Sequence, residues 1–259
     1  MSKKKKKVGR PKRKIPPSRL LDRLREVETL LRRGKWVEAG ERLAALDNQY
    51  GGPAEVLALR MQVAVQLQDF QTQLHVAERL AALRPDDPML QLQLAAAYLN
   101  NSWSALALRT FHSFAERWPH HPEAPMARRT VEAMEPAFRQ HLAENGLGGP
   151  DEMELAVQHE QVQVLLAHGE YEKGHRLAAR LIEARPQFAP PYNNSAQAFA
   201  LEGNYSQAID LSRRVLAFDP DNVHTRSNLI RFLCQSGFFD EAKEEAKRLR
   251  ELKPSYAEG

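Results

Sequence analysis

Three segments of this chain carry one pattern at one spacing: GEYEKG from Gly169, GNYSQA from Gly203 and GFFDEA from Gly237, each starting 34 residues after the last. A proline follows each glycine at a constant offset, at Pro186, Pro220 and Pro254. The register continues upstream: GKWVEA starts at Gly34, QDFQTQ at Gln68, and Pro85 and Pro119 keep the same interval. An aromatic slot then reads Trp36, Phe70, Ser104, Phe138, Tyr171, Tyr205 and Phe239; only Ser104 breaks the series, and Trp103 stands beside it. A fixed period of this length marks one supersecondary unit repeated along the chain. It confines the fold to an array whose units pack on their neighbours.

Each residue type has a task at this spacing. The glycine accepts a positive φ, so the chain can leave one helix and turn into the next. The aromatic two places later can fill the wedge between the helices. A small residue three places further on (Ala39, Gly174, Ala208, Ala242) lets two helices approach closely. The proline ends the second helix, because it lacks an N–H and clashes inside one. Between these marks the apolar residues keep helical period. AIDLSRRVLAF puts Ile209, Leu211, Val215, Leu216 and Phe218 mostly on one side and turns Arg213 and Arg214 outward. No stretch of useful length alternates as a strand does.

The Gly-x-aromatic-x-x-small core and the proline that follows resemble the tetratricopeptide repeat family. The match is strong over 155–256 and weaker at about 20–53, 54–87 and 88–121. At about 122–154 EPAF replaces the glycine turn, and NGLGGP cuts the second helix short. The resemblance implies an all-α, right-handed superhelical α-solenoid of about seven helical hairpins. The expected organisation is a disordered basic arm at 1–19, degenerate repeats at 20–154 and three well-matched repeats at 155–259. KPSYAEG ends the sequence straight after a second helix. That leaves a partner, another copy or further chain to cover the last repeat, and self-association there is one expectation.

In that family the first helix of each hairpin lines the concave groove. The resemblance puts Gln163, Asn193, Asn194, Gln197, Asn228 and Arg231 there, with Gln62, Gln66, Gln93, Asn100 and Gln235 in further groove slots. Asn194 and Asn228 occupy the same slot in consecutive repeats. An amide donates and accepts at once, so a pair on neighbouring helices suits the backbone of an extended peptide. The charged version of the groove, a carboxylate clamp for chaperone C-termini, is incomplete here. Its basic slots fall on His159, His224 and Asn228, although Gln163 and Asn194 fit its amide slots and Arg226 and Arg231 lie near.

Charge is divided unevenly. Residues 1–19 hold ten of the 37 Lys and Arg and no acid, so 27 bases face 33 acids in the remainder. A basic tail on a mildly acidic body points to a separate task for the tail. Within it GRPKRK resembles the AT-hook core, with Val8 where that family has arginine. The resemblance implies minor-groove contact at A·T tracts through Lys7, Gly9, Arg10, Pro11, Lys12, Arg13 and Lys14. RNA, another polyanion, nuclear import or solubility are the other uses open to such an arm, whose basic run is residues 3–14.

No HExxH, CxxC, P-loop, GxSxG or GxGxxG is present, so an enzyme is not expected, nor any metal or cofactor. His120 and His121 fall in a turn and read as solvated, and His168 and His175 as partly exposed. The single cysteine, Cys234, sits among apolar residues and reads as a buried, inert thiol. No apolar run is long enough to span a bilayer and no signal peptide is found, so no membrane is expected. The expected location is the cytoplasm, with nucleoid or nucleus as alternatives. The leading function is a non-enzymatic scaffold that holds a partner protein's peptide or helix in its groove, its arm adding attachment to a polyanion. A DNA- or RNA-binding accessory protein, or the regulatory region of a larger enzyme, are the alternatives.

Overall fold

The glycine slot of the register is a backbone conformation more than a residue type. The computed structural model describes residues 17–144 and 146–252. Six of the seven slot positions lie in the left-handed region: Gly34 (φ 69°), Gln68 (53°), Ser102 (61°), Gly169 (73°), Gly203 (79°) and Gly237 (80°). Two residues after each of them a helix begins, at Trp36, Phe70, Ser104, Tyr171, Tyr205 and Phe239. The aromatic slot is therefore the first residue of every second helix. Phe70 and Phe239 remain 42% and 60% exposed there, while Trp36, Tyr171 and Tyr205 are half-buried. The wedge is thus filled only in part at two of the five.

The seventh slot is Pro136, whose ring fixes φ on the negative side and forbids the turn. The chain runs straight through it as one 21-residue helix with proline inside. The 122–154 unit is accordingly one helix and not a hairpin. Among the described residues there are thirteen α-helices and no strand: α1 (Pro17–Arg32), α2 (Trp36–Tyr50), α3 (Ala54–Leu67), α4 (Phe70–Leu83), α5 (Pro88–Asn100), α6 (Ser104–Arg117), α7 (Ala124–Glu144), α8 (Glu152–Ala167), α9 (Tyr171–Ala184), α10 (Ala189–Leu201), α11 (Tyr205–Phe218), α12 (Val223–Gln235) and α13 (Phe239–Leu252). α4, α6, α9 and α11 each end two residues before Pro85, Pro119, Pro186 and Pro220. Pro254 lies outside the described residues, as does the basic arm, including Lys7, Gly9, Arg10, Pro11, Lys12, Arg13 and Lys14.

Two compact units divide the chain, one ending at Ser102 and the other starting at Trp103. In the first, α1 to α5 pack in sequence, each on the next. Its core gathers Leu24, Val27, Leu30, Leu43 and Val56, with Trp36 packed on the cluster. Asp47 is nearly sealed there at 5% exposure, and Arg79 grips it with two hydrogen bonds of 2.6 and 2.8 Å while Arg60 contacts the same carboxylate. Burial alone would raise its pKa, but the two guanidinium groups together hold it below the ordinary aspartate range. Nothing in the repeat pattern announces this cluster.

In the second unit α6 packs on α7 and also on α8, and the hairpins α8–α9, α10–α11 and α12–α13 follow. The small slot is buried at Ala107, Gly174, Ala208 and Ala242, and a Cβ on Gly174 would stand 2.5 Å from Leu166 Cδ2. The core of the last two hairpins collects Tyr192, Ala196, Ile209, Val215, Phe232 and Leu233. Burial of each large side chain there contributes about 1.5–3 kcal/mol. α13 buries only Ala242 and carries Lys243, Glu244, Lys247 and Arg250 toward water. No described helix is long and apolar enough to cross a membrane.

Candidate peptide-binding face

The 34-residue spacing places Gln163, Gln197 and Arg231 at the same position of α8, α10 and α12. Gln163 is half-buried, while Gln197 and Arg231 are exposed. Gln197 and Arg231 line one depression of about 370 Å3 together with Leu201, Tyr205, Phe232 and Gln235. Leu201 is 75% exposed at its rim. The Arg231 guanidinium lies 5.3 Å from the Phe232 ring centroid, a cation–π distance. This face pairs amide and guanidinium donors with an apolar floor.

The asparagines stand one layer deeper. Asn193 is 8% exposed, and its Oδ1 accepts a hydrogen bond from Thr225 Oγ1 at 2.9 Å, tying α10 to α12. Asn194 Nδ2 lies 3.0 Å from His159 Nε2, tying α10 to α8. That bond requires an unprotonated acceptor nitrogen. Burial lowers His159 to about 4, so the ring is neutral at physiological pH and accepts. The ring also meets Phe188 edge-on at 5.3 Å. Asn228, 7% exposed, sets its Nδ2 3.1 Å from His224 Nε2 and accepts from Arg231 at 2.9 Å. Of the six sequence-nominated residues, Gln197 and Arg231 thus line the depression and Gln163 continues their row on α8. The three asparagines hold the helices and Arg231 in place. Upstream, Asn100 donates to the buried Gln73 at 2.9 Å, so the same kind of bond joins α5 to α4.

Other expectations meet different surroundings. Arg226 is 6% exposed and engaged with Glu245 and the Pro220 carbonyl, so it is no free cation for a clamp. Cys234 is exposed, which corrects the expectation of a buried thiol. Its helix turns Phe232 and Leu233 inward, and the next position faces water. His175 is half-buried: it stacks on Phe199 at 3.7 Å, with Nδ1 3.3 Å from Ser195 Oγ and Nε2 3.0 Å from Glu202. Ser195 is 3% exposed in mid-helix, so the trio braces α9 on α10 and does not present a nucleophile. Among the described residues no group of three or more His, Cys, Asp or Glu is placed to hold a metal ion.

The Tetratricopeptide repeat family model matches residues 199–258, the end of α10 through α13 and the residues after it. No curated protein matches the sequence. Among solved structures, MamA from Desulfovibrio magneticus RS-1 (41 to its end) is 16% identical, covers 78% of this chain and 96% of its own, and has a TM-score of 0.39. Another MamA structure is 13% identical over 76% of this chain and 90% of its own, with a TM-score of 0.39. The P58(IPK) TPR domain is 13% identical over 90% of this chain and 60% of its own, with a TM-score of 0.42.

Proposed function

We propose, from a chain whose residues 199–258 belong to the tetratricopeptide-repeat family, that the protein is a non-enzymatic scaffold holding a peptide or helix of a partner protein. The binding face is the one presented by α8, α10 and α12. The observation that carries this reading is the shared depression of Gln197 and Arg231, lined by Leu201, Tyr205 and Phe232. Gln163 extends the row. Asn193, Asn194 and Asn228 act behind it, keeping the helices in register and aiming Arg231 through the Asn228 hydrogen bond.

An exposed amide can bond both peptide groups of a ligand backbone, and Arg231 adds a donor pair suited to a carboxylate. The apolar floor supplies the area that most binding free energy comes from. Capture of partners by the full chain tests this directly. A Gln197→Ala/Arg231→Glu variant loses the principal partner, while an unchanged partner set overturns the assignment of this face.

The arm supports a second attachment, to a polyanion, because the ten cations at positions 1–19 face no acid. With six of them on duplex phosphates, log K falls against log salt with a slope of about −5. Truncation of residues 1–16 abolishes that binding. Equal affinity before and after truncation removes the arm from the function.

A further inference from the structure

Further cavities lie along the second helices of the last two hairpins. Between α11 and α13 run two cavities, one of about 530 Å3 near the hairpin turns and one of about 330 Å3 toward the α11 C-terminus. Tyr205, Ile209 and Phe238 give the first its apolar lining, and Phe238 is 52% exposed. Leu216, Leu229 and Leu233 do the same for the second. Arg213 and Glu241 line both cavities and join in an ion pair of 2.6 Å between them, with each side chain about half exposed.

Charge is unequal along this trough. The second cavity carries Arg213, Arg226 and Arg248 against only Glu241 and Glu245. Glu245 serves two of these cations, Arg226 and, at 2.8 Å, Arg248. Arg226 is more than nine-tenths buried, and its Nε is the described buried side-chain atom left with no hydrogen-bond partner. A buried N–H without an acceptor is destabilising. Arg226 is taken up by Glu245 and the Pro220 carbonyl, so the uncompensated charge is open to solvent at Arg248, whose side chain is 63% exposed and can pair with an incoming carboxylate. The first cavity has the opposite surplus, since Asp210 stands there beside the internally paired Arg213 and Glu241.

We infer that this trough between α11 and α13 binds an amphipathic segment of a partner protein. The segment places one bulky apolar side chain in each cavity and an Asp or Glu beside Arg248. Tyr205 lines both this trough and the depression of the α8, α10 and α12 face, and it is the one residue their linings share.

The probe is a displayed library of 16-residue peptides selected on the full-length protein, with enriched peptides then titrated by fluorescence anisotropy. Enriched sequences pair two bulky apolar residues with an acid. Their Kd rises about tenfold or more in Phe238→Ser and in Arg248→Glu, both surface changes whose folding is checked by circular dichroism. It is unchanged in Gln197→Ala/Arg231→Ala. Four results overturn the inference: no enrichment, basic sequences in place of acidic ones, sensitivity to Gln197 and Arg231 alone, or sedimentation showing a second copy of this chain in the trough.

Discussion

Glu160 on α8 accepts the backbone N–H of Leu106 at 2.7 Å, and with its other oxygen that of Ala105 at 2.9 Å. It thereby caps the start of α6 from more than fifty residues away. α6 opens after Trp103, whose side chain supplies no cap. The free N–H groups of a helix start need an acceptor, and Glu160 is 8% exposed where it provides one. The bond fastens α6 to α8, the helix after α7.

Replacing Glu160 by Ala leaves those N–H groups buried and unpaired. The expected loss is about 1–2 kcal/mol, read from urea unfolding. Glu160→Gln separates charge from shape. Burial raises the Glu160 pKa, with the backbone N–H groups opposing. The folded state therefore holds its proton to higher pH than the unfolded chain. The contribution of this group is full below pH 4.5 and declines as pH rises through the folded value. Glu160→Gln flattens that decline, and an identical slope in both proteins refutes the cap's titration.

His159 gives the reverse dependence one residue away. Its folded value of about 4 lies below the ordinary 6.5, so between those values the unfolded chain binds the extra proton. Stability rises with pH across that window, by up to roughly 3 kcal/mol. In His159→Gln, which keeps an acceptor for Asn194 but does not titrate, thermal midpoints between pH 4 and 6.5 lose this rise. Retention of the full rise assigns it to another group.

Gln68 and Ser102 hold positive φ without being glycine. A left-handed residue with a Cβ costs about 1–2 kcal/mol, partly offset by glycine's greater freedom when unfolded. Gln68→Gly and Ser102→Gly are each expected to stabilise by about 0.5–1 kcal/mol, measured by urea unfolding. Destabilisation of both refutes the account of the slot as a backbone requirement.

These two residues also show how far the sequence could be read. The period, the helix ends and the first residue of each second helix were all legible from Gly34, Gly169, Gly203, Gly237 and the prolines. The slot was visible as glycine at those places and hidden at Ser102, because no residue-type pattern reports a dihedral angle. The candidate face was legible as a row of amides. The division between exposed Gln197 and Arg231 and internal Asn193 and Asn228 was not, since residues three or four apart share nearly one helix face and only the neighbouring helices decide which of them is covered. Glu160, Asp47 and Arg226 act through partners 13 to 55 residues away, beyond any local signal.

Pro136 sits inside α7 and cannot donate to the helix ladder. Pro136→Ala restores that donor and is expected to stabilise by about 1–3 kcal/mol. Calorimetry on the full chain measures it, and a lowered midpoint shows that the proline is needed where it stands.

The same proline carries a wider consequence. Glycine, glutamine and serine all permit the bend at this place in the period, so drift among them leaves the array's plan intact. Proline cannot take the positive φ that the bend uses. This one position of the period therefore separates the units built of two short rods from the unit built of one long one.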